Sequence, residues 1–403
     1  MSTETIEVTG HIVDSLVLAK ILDTIIDAGF DYEIEDVHIG KTSIDPSTAR
    51  IAVIGDEAKL DQLLDELQVH GANRTHQHDV HLVPVEQDGV LPAGFYSTTN
   101  LAADVRVDGT WRPVENPEMD CALMVADGRA YTAPMHKVRA GEQVVVGSDG
   151  VRVHAPSHAR DTQVFEFMAS EVSSEKPKAL LVTQVADRMR AARRRGGRVL
   201  VVAGPAVVHT GGATDLARLV TEGWVDLLFA GNGFATHDIE ADVLGTSLGV
   251  SVAEGKPTEG GHANHLRVIN EVRRHGSIAA AVEAGYVTGG VMHACVRAGV
   301  PFVLGGSVRD DGPLPDVITD TVAAADALRD QLGGMEVALM LASTLHAIAA
   351  GNCLPAGVET FCVDINQAVL TKLADRGSHQ ALGIVTDVGP FVGQLTNELL
   401  RDA

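Results

Sequence analysis

The sequence lacks any run of some 18 apolar residues, and it does not open with a basic patch, an apolar stretch and a small-residue cleavage site. It is therefore expected to be soluble and cytoplasmic. Cysteine is scarce: Cys121, Cys295, Cys353 and Cys362 show no CxxC spacing and lie within or beside apolar stretches, which predicts reduced, buried thiols. Basic residues are few, 31 against 54 acidic ones, for a net charge of −23. Such a charge repels phosphate backbones and anionic lipid, so nucleic-acid and membrane-surface binding are disfavoured, while a small cationic substrate is compatible.

At 403 residues the chain is too long for one ordinary core. Residues 1–86 alternate as an apolar stretch at Ile6–Ile12, a helical pattern at Leu16–Ala28, strands at Tyr32–Ile39 and Ala49–Ile54, a helix at Leu60–Leu67 and a strand at His81–Val85. That order is βαββαβ, the ferredoxin-like α+β plan, more often regulatory or structural than catalytic. In residues 87–170, short runs broken by Asp108-Gly109, Asp127-Gly128 and Asp149-Gly150 predict hairpins and a small β-domain. From 171 to 403, after a Ser/Glu/Lys-rich stretch at Ser170–Lys178 and a surface helix carrying Arg190, Arg193, Arg194 and Arg195, strands alternate with helices. Strands are expected at Val199–Ala203, Val225–Phe229, Pro301–Leu304, Thr360–Asp364 and Gly383–Asp387, and helices at Ala213–Thr221, Thr236–Val243 and Val337–Ala350. Near-continuous apolar strands joined by helices predict a Rossmann-like α/β domain with a parallel sheet.

Ligands of such sheets bind beyond the carboxyl ends of the strands, so the residues after each apolar run carry the functional signal. After Val201-Val202-Ala203 comes Gly204-Pro205-Ala206-Val207-Val208-His209-Thr210-Gly211-Gly212, and after Leu227-Leu228-Phe229-Ala230 comes Gly231-Asn232-Gly233-Phe234-Ala235-Thr236-His237-Asp238. Glycines there let backbone amides approach a pyrophosphate at a helix N-terminus. Neither loop completes a dinucleotide fingerprint, since Thr236 stands at the third glycine position, and no Walker lysine follows Gly212. Further strand ends at Gly305–Gly312, Asp364-Ile365-Asn366 and Asp387-Val388-Gly389 add acidic groups suited to ribose hydroxyls and opposed to a 2′-phosphate, which favours NAD over NADP. Asp364 and Asn366 equally suit a helix cap.

Among 17 histidines, His76, His78 and His81 form an HxHxxH cluster best read as linker, and no metal is assigned. His346 follows Ser343-Thr344-Leu345 in an apolar stretch, where polar side chains need partners. A nucleotide or the preceding turn supplies them.

Read together, GFYSTTN (94–100), PEMDCA (117–122), AGPAVVHTGG (203–212), GNGFATHDIE (231–240) and GTSLG (245–249) resemble the archaeal-type NAD-dependent ornithine cyclodeaminases, which carry the LOR/SDH conserved region, over nearly the whole chain. The C-terminal half also looks like a distant relative of deoxyhypusine synthase. That likeness implies a homotetramer and nucleotide contacts at Asn232, Gly233, Asp311, Ser343, Thr344, Leu345, His346, Asp364, Asp387 and Val388. Val317–Gly334 contains no lysine for a covalent imine, so aminobutyl transfer is not expected. The implied reaction is conversion of ornithine to proline and ammonia, a lyase reaction of proline biosynthesis, with NAD used and regenerated. Proton-transfer candidates are His237, Asp238 and Glu240, with Asp120 from the β-domain, and Asn100 is the candidate substrate contact. Asp238 equally suits a cap, and Cys121 reads as packing. An amino-acid dehydrogenase with net hydride transfer and a non-catalytic nucleotide sensor are the alternatives.

Overall fold

The computed structural model describes residues 2–13, 16–41, 45–68, 70–75, 78–154, 178–251, 256, 261–310, 312–375 and 381–401. The chain divides into two compact units, one of residues 1–171 with 352–357, the other of 172–351 with 358–403.

The first unit starts with β1 (Ser2–Gly10), α1 (Val17–Asp27), β2 (Asp31–His38), β3 (Ser47–Gly55), α2 (Glu57–Gln68) and β4 (Ala72–Arg74). Their sheet has the order β2-β3-β1-β4, every neighbour antiparallel. Period-2 alternation in β1 and β3 sends Ile6, Val8, Ile51 and Val53 inward, where they meet Ile21 and Ile25 of α1 and Leu60, Leu64 and Leu67 of α2. The ferredoxin-like order holds, but its last strand is Ala72–Arg74. His81–Val85, expected in that place, instead supplies β5 (His81–Pro84) of the next sheet, which pairs with Gln143–Val146. A three-residue strand with two polar residues has no readable hydrophobic period, so pairing alone reveals it.

That next sheet adds β6 (Ala103–Val107), β7 (Thr110–Glu115), β8 (Ala122–Ala126), β9 (Arg129–Ala133), β10 (Gln143–Val146) and β11 (Val151–Val153), in the order β11-β6-β7-β9-β8-β10-β5. Asp108-Gly109 and Asp127-Gly128 close two-residue hairpins with positive φ at all four residues, the geometry that matches strand twist. Asp149-Gly150 is not a hairpin: β11 leaves β10 and pairs with β6, Val151 opposite Val105. The two sheets are joined by side chains. Gln68 Nε2 donates to the Val151 carbonyl at 2.7 Å, and the Asn73 amide donates to the Val153 carbonyl at 2.8 Å and accepts from its N–H at 2.7 Å.

The second unit contains α3 (Lys178–Arg194), β12 (Arg198–Ala203), α4 (Ala206–His209), α5 (Ala213–Thr221), β13 (Leu227–Gly231), α6 (Asn232–Leu244), the hairpin β14 (Thr246–Ser247) and β15 (Val250–Ser251), α7 (Asn264–His275), α8 (Ile278–Glu283) and α9 (Gly290–Ala298). It continues through β16 (Phe302–Gly305), β17 (Val317–Ile318), α10 (Thr321–Arg329), β18 (Met335–Leu341), α11 (Leu345–Cys353), β19 (Glu359–Asp364), α12 (Gln367–Asp375), β20 (Ala381–Val385) and α13 (Val388–Leu399). Seven strands form one parallel sheet, β17-β16-β13-β12-β18-β19-β20. The expected helix over Val337–Ala350 is wrong in its first half, for Val337–Leu341 lies in β18, the strand beside β12. A strand covered on both faces is apolar at every position, and its run merges with that of the following helix. Strand order reverses between β12 and β18, which places the ligand crevice at their carboxyl ends. All four cysteines are buried thiols. Among the described residues no helix is long and apolar enough to cross a membrane.

Candidate active site at the sheet edge

At the reversal point the two strand ends touch. Gly204 follows β12 so closely on Ala342 that a Cβ on it would lie 1.8 Å from the Ala342 carbonyl oxygen, and Ala342 itself is left-handed, φ 47°. A non-glycine residue held at positive φ is strained, and such strain collects where loops shape ligand sites. Next comes Ser343, buried, and Thr344, whose carbonyl accepts the Ile348 amide and starts α11. Leu345 is 76% exposed. Ile365, the first residue past β19, is 75% exposed, and Val308, just past β16, is exposed as well. Each is a large apolar side chain presented to solvent close after a sheet strand, at the end of the sheet where ligands of such folds bind.

The glycine of β13 serves a purpose hidden from the sequence. His346 packs edge-on against Phe229 at 5.1 Å, and its ring occupies the space that a Cβ on Gly231 would need, 2.7 Å from Cε1. A Cβ on Gly305, at the end of β16, would also crowd this ring, 3.1 Å from Nε2. Burial pulls the His346 imidazole below its ordinary value and Asp310 only partly opposes this, so the ring is neutral at pH 7. Asn232 is buried, and its carbonyl oxygen accepts the Leu314 amide at 3.0 Å, pinning the 305–314 loop to the start of α6. Gly233 meets Pro205. Gly231 caps α6 with no side chain on the first amides, which leaves a 13-residue helix with an open N-terminus at a strand end.

Helical spacing sorts the three candidate groups on α6. His237 and Glu240, three apart, share a face and bond through Nδ1 and Oε2 at 2.9 Å. Glu240 is 0% exposed, and its other oxygen accepts the Thr246 hydroxyl at 2.7 Å and the Gly249 amide at 3.1 Å. The Thr246 hydroxyl accepts from the Asn264 amide at 2.8 Å, and Arg267 donates to Asn264 at 3.1 Å. Burial alone would raise the Glu240 pKa, but these donors hold it below the ordinary carboxylate value. Glu240 is thus an anion at pH 7 and an acceptor for the Nδ1 proton of His237, which leaves Nε2 as the ring nitrogen outside this bond. His237 is 9% exposed.

Asp238 points elsewhere. Its two oxygens accept the Val291 and Met292 amides at 2.9 and 2.8 Å, at the start of α9, and burial pushes its pKa up to about 6. It anchors a helix, though not the one it sits in, and is removed from the proton-transfer candidates. Asp364 is buried and gives one oxygen to the Asn366 amide at 2.7 Å, and Asn366 in turn accepts the Ala368 amide in the first turn of α12. Asp387 caps α13 through Gly389 N at 3.1 Å, with Val388 buried behind it, and lines a cavity of about 150 Å³ with Thr386, Phe391 and Gln394. Asp311 and His76 lie outside the described residues.

In the first unit the motifs at 94–100 and 117–122 are stitched together. Thr98 N–H donates to the Cys121 carbonyl at 3.0 Å, the Asp120 amide donates to the Thr98 carbonyl at 3.0 Å, and the Thr98 hydroxyl reaches the Glu118 carbonyl at 2.6 Å. Asn100 is 0% exposed; its side-chain amide donates to the Leu354 carbonyl at 3.2 Å, and its main-chain carbonyl accepts the Ala356 amide at 2.8 Å. Asn100 is therefore a staple for residues 352–357, and its expected substrate contact is set aside. Asp120 is exposed, with φ 60°. His209, left unassigned in the sequence, sits edge-on to His237 with ring centroids 5.1 Å apart. Its only sequence signal was its place in the loop after the first strand of the sheet.

An open parallel sheet whose strand order reverses at its centre defines a Rossmann-type domain, here with a buried His–Glu pair on the helix after β13. Residues 183–395 match the Rossmann-fold C-terminal part of ArgZ-like arginine dihydrolases, 102–182 the first C-terminal region of the same proteins, and 3–101 the LOR/SDH bifunctional enzyme conserved region. The chain is 50% identical to the ornithine cyclodeaminase of Methanopyrus kandleri over 99% of its length and 97% of that protein's. It is also similar to a solved LOR/SDH protein of Methanococcus maripaludis (44% identity, TM-score 0.76, 80% of this chain and 99% of that one). A second solved relative is AgrE in complex with ornithine and NAD+ (42% identity, TM-score 0.55, 100% of this chain and 58% of that one). The chain belongs to the ornithine cyclodeaminase family that carries the LOR/SDH conserved region, and it is an enzyme of that family.

Proposed function

We propose that this enzyme converts L-ornithine to L-proline and ammonia with NAD as a regenerated cofactor held at the carboxyl edge of the parallel sheet. The observation that carries the reading is the buried His237–Glu240 pair on the first turns of α6, beside an uncapped helix N-terminus. Relatives named ornithine cyclodeaminase, and AgrE solved with ornithine and NAD+, support the substrate and the cofactor.

The residues present suit a dinucleotide. The open N-terminus of α6 suits a pyrophosphate, the oxygen of Asp364 not committed to Asn366 suits a ribose hydroxyl, and Leu345 and Ile365 offer apolar faces. Ser343 and Thr344 flank the crevice from β18 and His346 adds a neutral ring. NAD bound there supplies a reversible hydride acceptor. The chain supplies the proton chemistry. Glu240 holds the His237 tautomer, so Nε2 takes a proton as the substrate amine becomes a nucleophile and returns one to the departing ammonia; protons balance over the cycle. The net charge of −23 favours approach of the cationic substrate.

The reading extends to a cytoplasmic homotetramer and to a preference for NAD over NADP, because Asp364 and Asp387 meet a 2′-phosphate with like charge. Calorimetry is expected to show weaker NADP binding, and Asp364→Ala to lose about 1.5–3 kcal/mol of NAD affinity, the range for a hydrogen bond to a charged group. Incubation with ornithine and NAD tests the reaction: proline and ammonia form without lasting NADH absorbance. Accumulating NADH would make the enzyme a dehydrogenase.

A further inference from the structure

His209 is a titratable side chain at this edge that the proposed chemistry leaves unused. It ends α4, the short helix that follows β12, and is exposed to solvent on one side. Its Nδ1 is fixed by the Ser247 hydroxyl of β14 at 2.7 Å. The ring then meets His237 edge-on, centroids 5.1 Å apart and planes at 61°. Each imidazole is thus tied through Nδ1 to a different partner, a neutral hydroxyl for His209 and a carboxylate for His237.

We propose that His209 is a positioning residue for the acid–base pair: it braces the His237 ring edge-on, and two imidazoles so close together take up at most one positive charge between them. The inference rests on the reading of His237–Glu240 as the proton-transfer pair. Two cations at this separation repel by about 5 kT at the effective dielectric of a partly buried site, so the first proton disfavours the second. Glu240 decides its location, because its anion faces His237 and not His209.

The other charged groups around α6 do not reverse this. Asp238 is committed to the amides of Val291 and Met292, and Asp242 to the amide of Thr288 at 2.7 Å. Arg267 on α7 reaches the network only through Asn264 and Thr246. His346 packs on Phe229 of β13. The hairpin contributes the hydroxyls of Thr246 and Ser247. Burial, and then the charge of His237, lower the pKa of His209 below its ordinary value, with Glu240 opposing, as a shared charge requires.

A pH series on the intact enzyme tests this. If protonating His237 stops turnover, protonating His209 adds a second, lower step, so the acid limb of log(kcat/KM) steepens to a limiting slope of 2, and His209→Gln returns it to 1. In parallel, NMR of histidine-labelled protein without cofactor is expected to show the His209 midpoint rising in His237→Gln by half a pH unit or more. An unchanged slope in His209→Gln together with an unmoved His209 midpoint overturns the inference while leaving the pair's role standing, provided His237→Gln is inactive. Full activity of His237→Gln would instead sink the reading on which the inference rests.

Discussion

Polar side chains cluster in two places, at the motifs of the first unit and at the sheet edge of the second, and they bond in different ways. In the first unit Gln68, Asn73, Thr98 and Asn100 all bind main-chain groups, so each fixes the path of the chain. At the sheet edge His237, Glu240, Thr246, Asn264 and Arg267 bind one another. Side chain–side chain bonds are the minority class in proteins, and a buried series of them sets tautomers and charge states. The difference separates scaffold from chemistry better than motif membership does, since Thr98 and Asn100 of the one cluster and His237, Glu240 and Thr246 of the other all lie in the motifs that link the chain to its family.

The largest effect expected from this contrast is at the dyad. His237→Gln and Glu240→Gln should each lower kcat by about 10²- to 10⁴-fold, the usual contribution of a positioned acid or base, with NAD affinity and melting temperature nearly kept. Equal loss of NAD binding in steady-state titration would move the dyad to the cofactor side.

Asp238 sharpens the rule, because it lies in the second unit and two residues from Glu240 yet binds only amides among its described bonds. Its folded pKa, about 6, is above the unfolded carboxyl value of 3.8. The native state therefore binds the extra proton between these values. The stability it contributes is full below pH 3.8 and is lost as pH rises through 6, about 3 kcal/mol in all. Urea midpoints at pH 4.5 and 6.5 should show this fall in the parent enzyme and its absence in Asp238→Asn. A fall of equal size in both would assign the pH dependence to another group.

Much of this was legible in the sequence, and the failures have physical reasons. The helix Ala213–Thr221 and the strands ending at Ala203 and Asp364 follow from apolar period and glycine punctuation. β18 was read as helix because a fully covered strand carries no period, and with it went the reversal point between β12 and β18. His237 and Glu240 were visible as polar residues three apart after a strand. That Asp238 turns to α9 depends on residue 291, and that Gly231 makes room for His346 depends on residue 346; sequence spacing does not encode contacts of that range. The staple made by Asn100 was hidden for the same cause, its partner Leu354 being 254 residues away.

Asn100→Ala is expected to leave a buried carbonyl at Leu354 without its donor and to cost about 1–3 kcal/mol of stability, read as a lower urea midpoint, with kcat/KM changed less than threefold at temperatures where the protein is folded. A hundredfold loss of turnover in a protein of normal stability would restore it as a substrate contact and break the contrast between the two units.

The smallest effect, and the finest test, falls on Asp120. It belongs to the first-unit cluster by its backbone, whose amide bonds Thr98, but its carboxylate is exposed and stands outside the stitching. Its φ of 60° is a conformation that aspartate and asparagine tolerate better than other side chains. Asp120→Asn therefore keeps the backbone preference, removes only the charge and should alter stability by less than about 0.5 kcal/mol, as surface changes do. Strained exposed polar residues gather at ligand sites, and an anion suits the ammonium groups of ornithine, so we expect kcat/KM for ornithine to fall about tenfold, mostly through KM, with NAD affinity unchanged. Because charge is the only thing removed, the loss should shrink as ionic strength rises. A variant that turns over at the parent rate at low salt would place Asp120 with Thr98 and Asn100 as scaffold, and the first unit would then contribute no side chain to the chemistry.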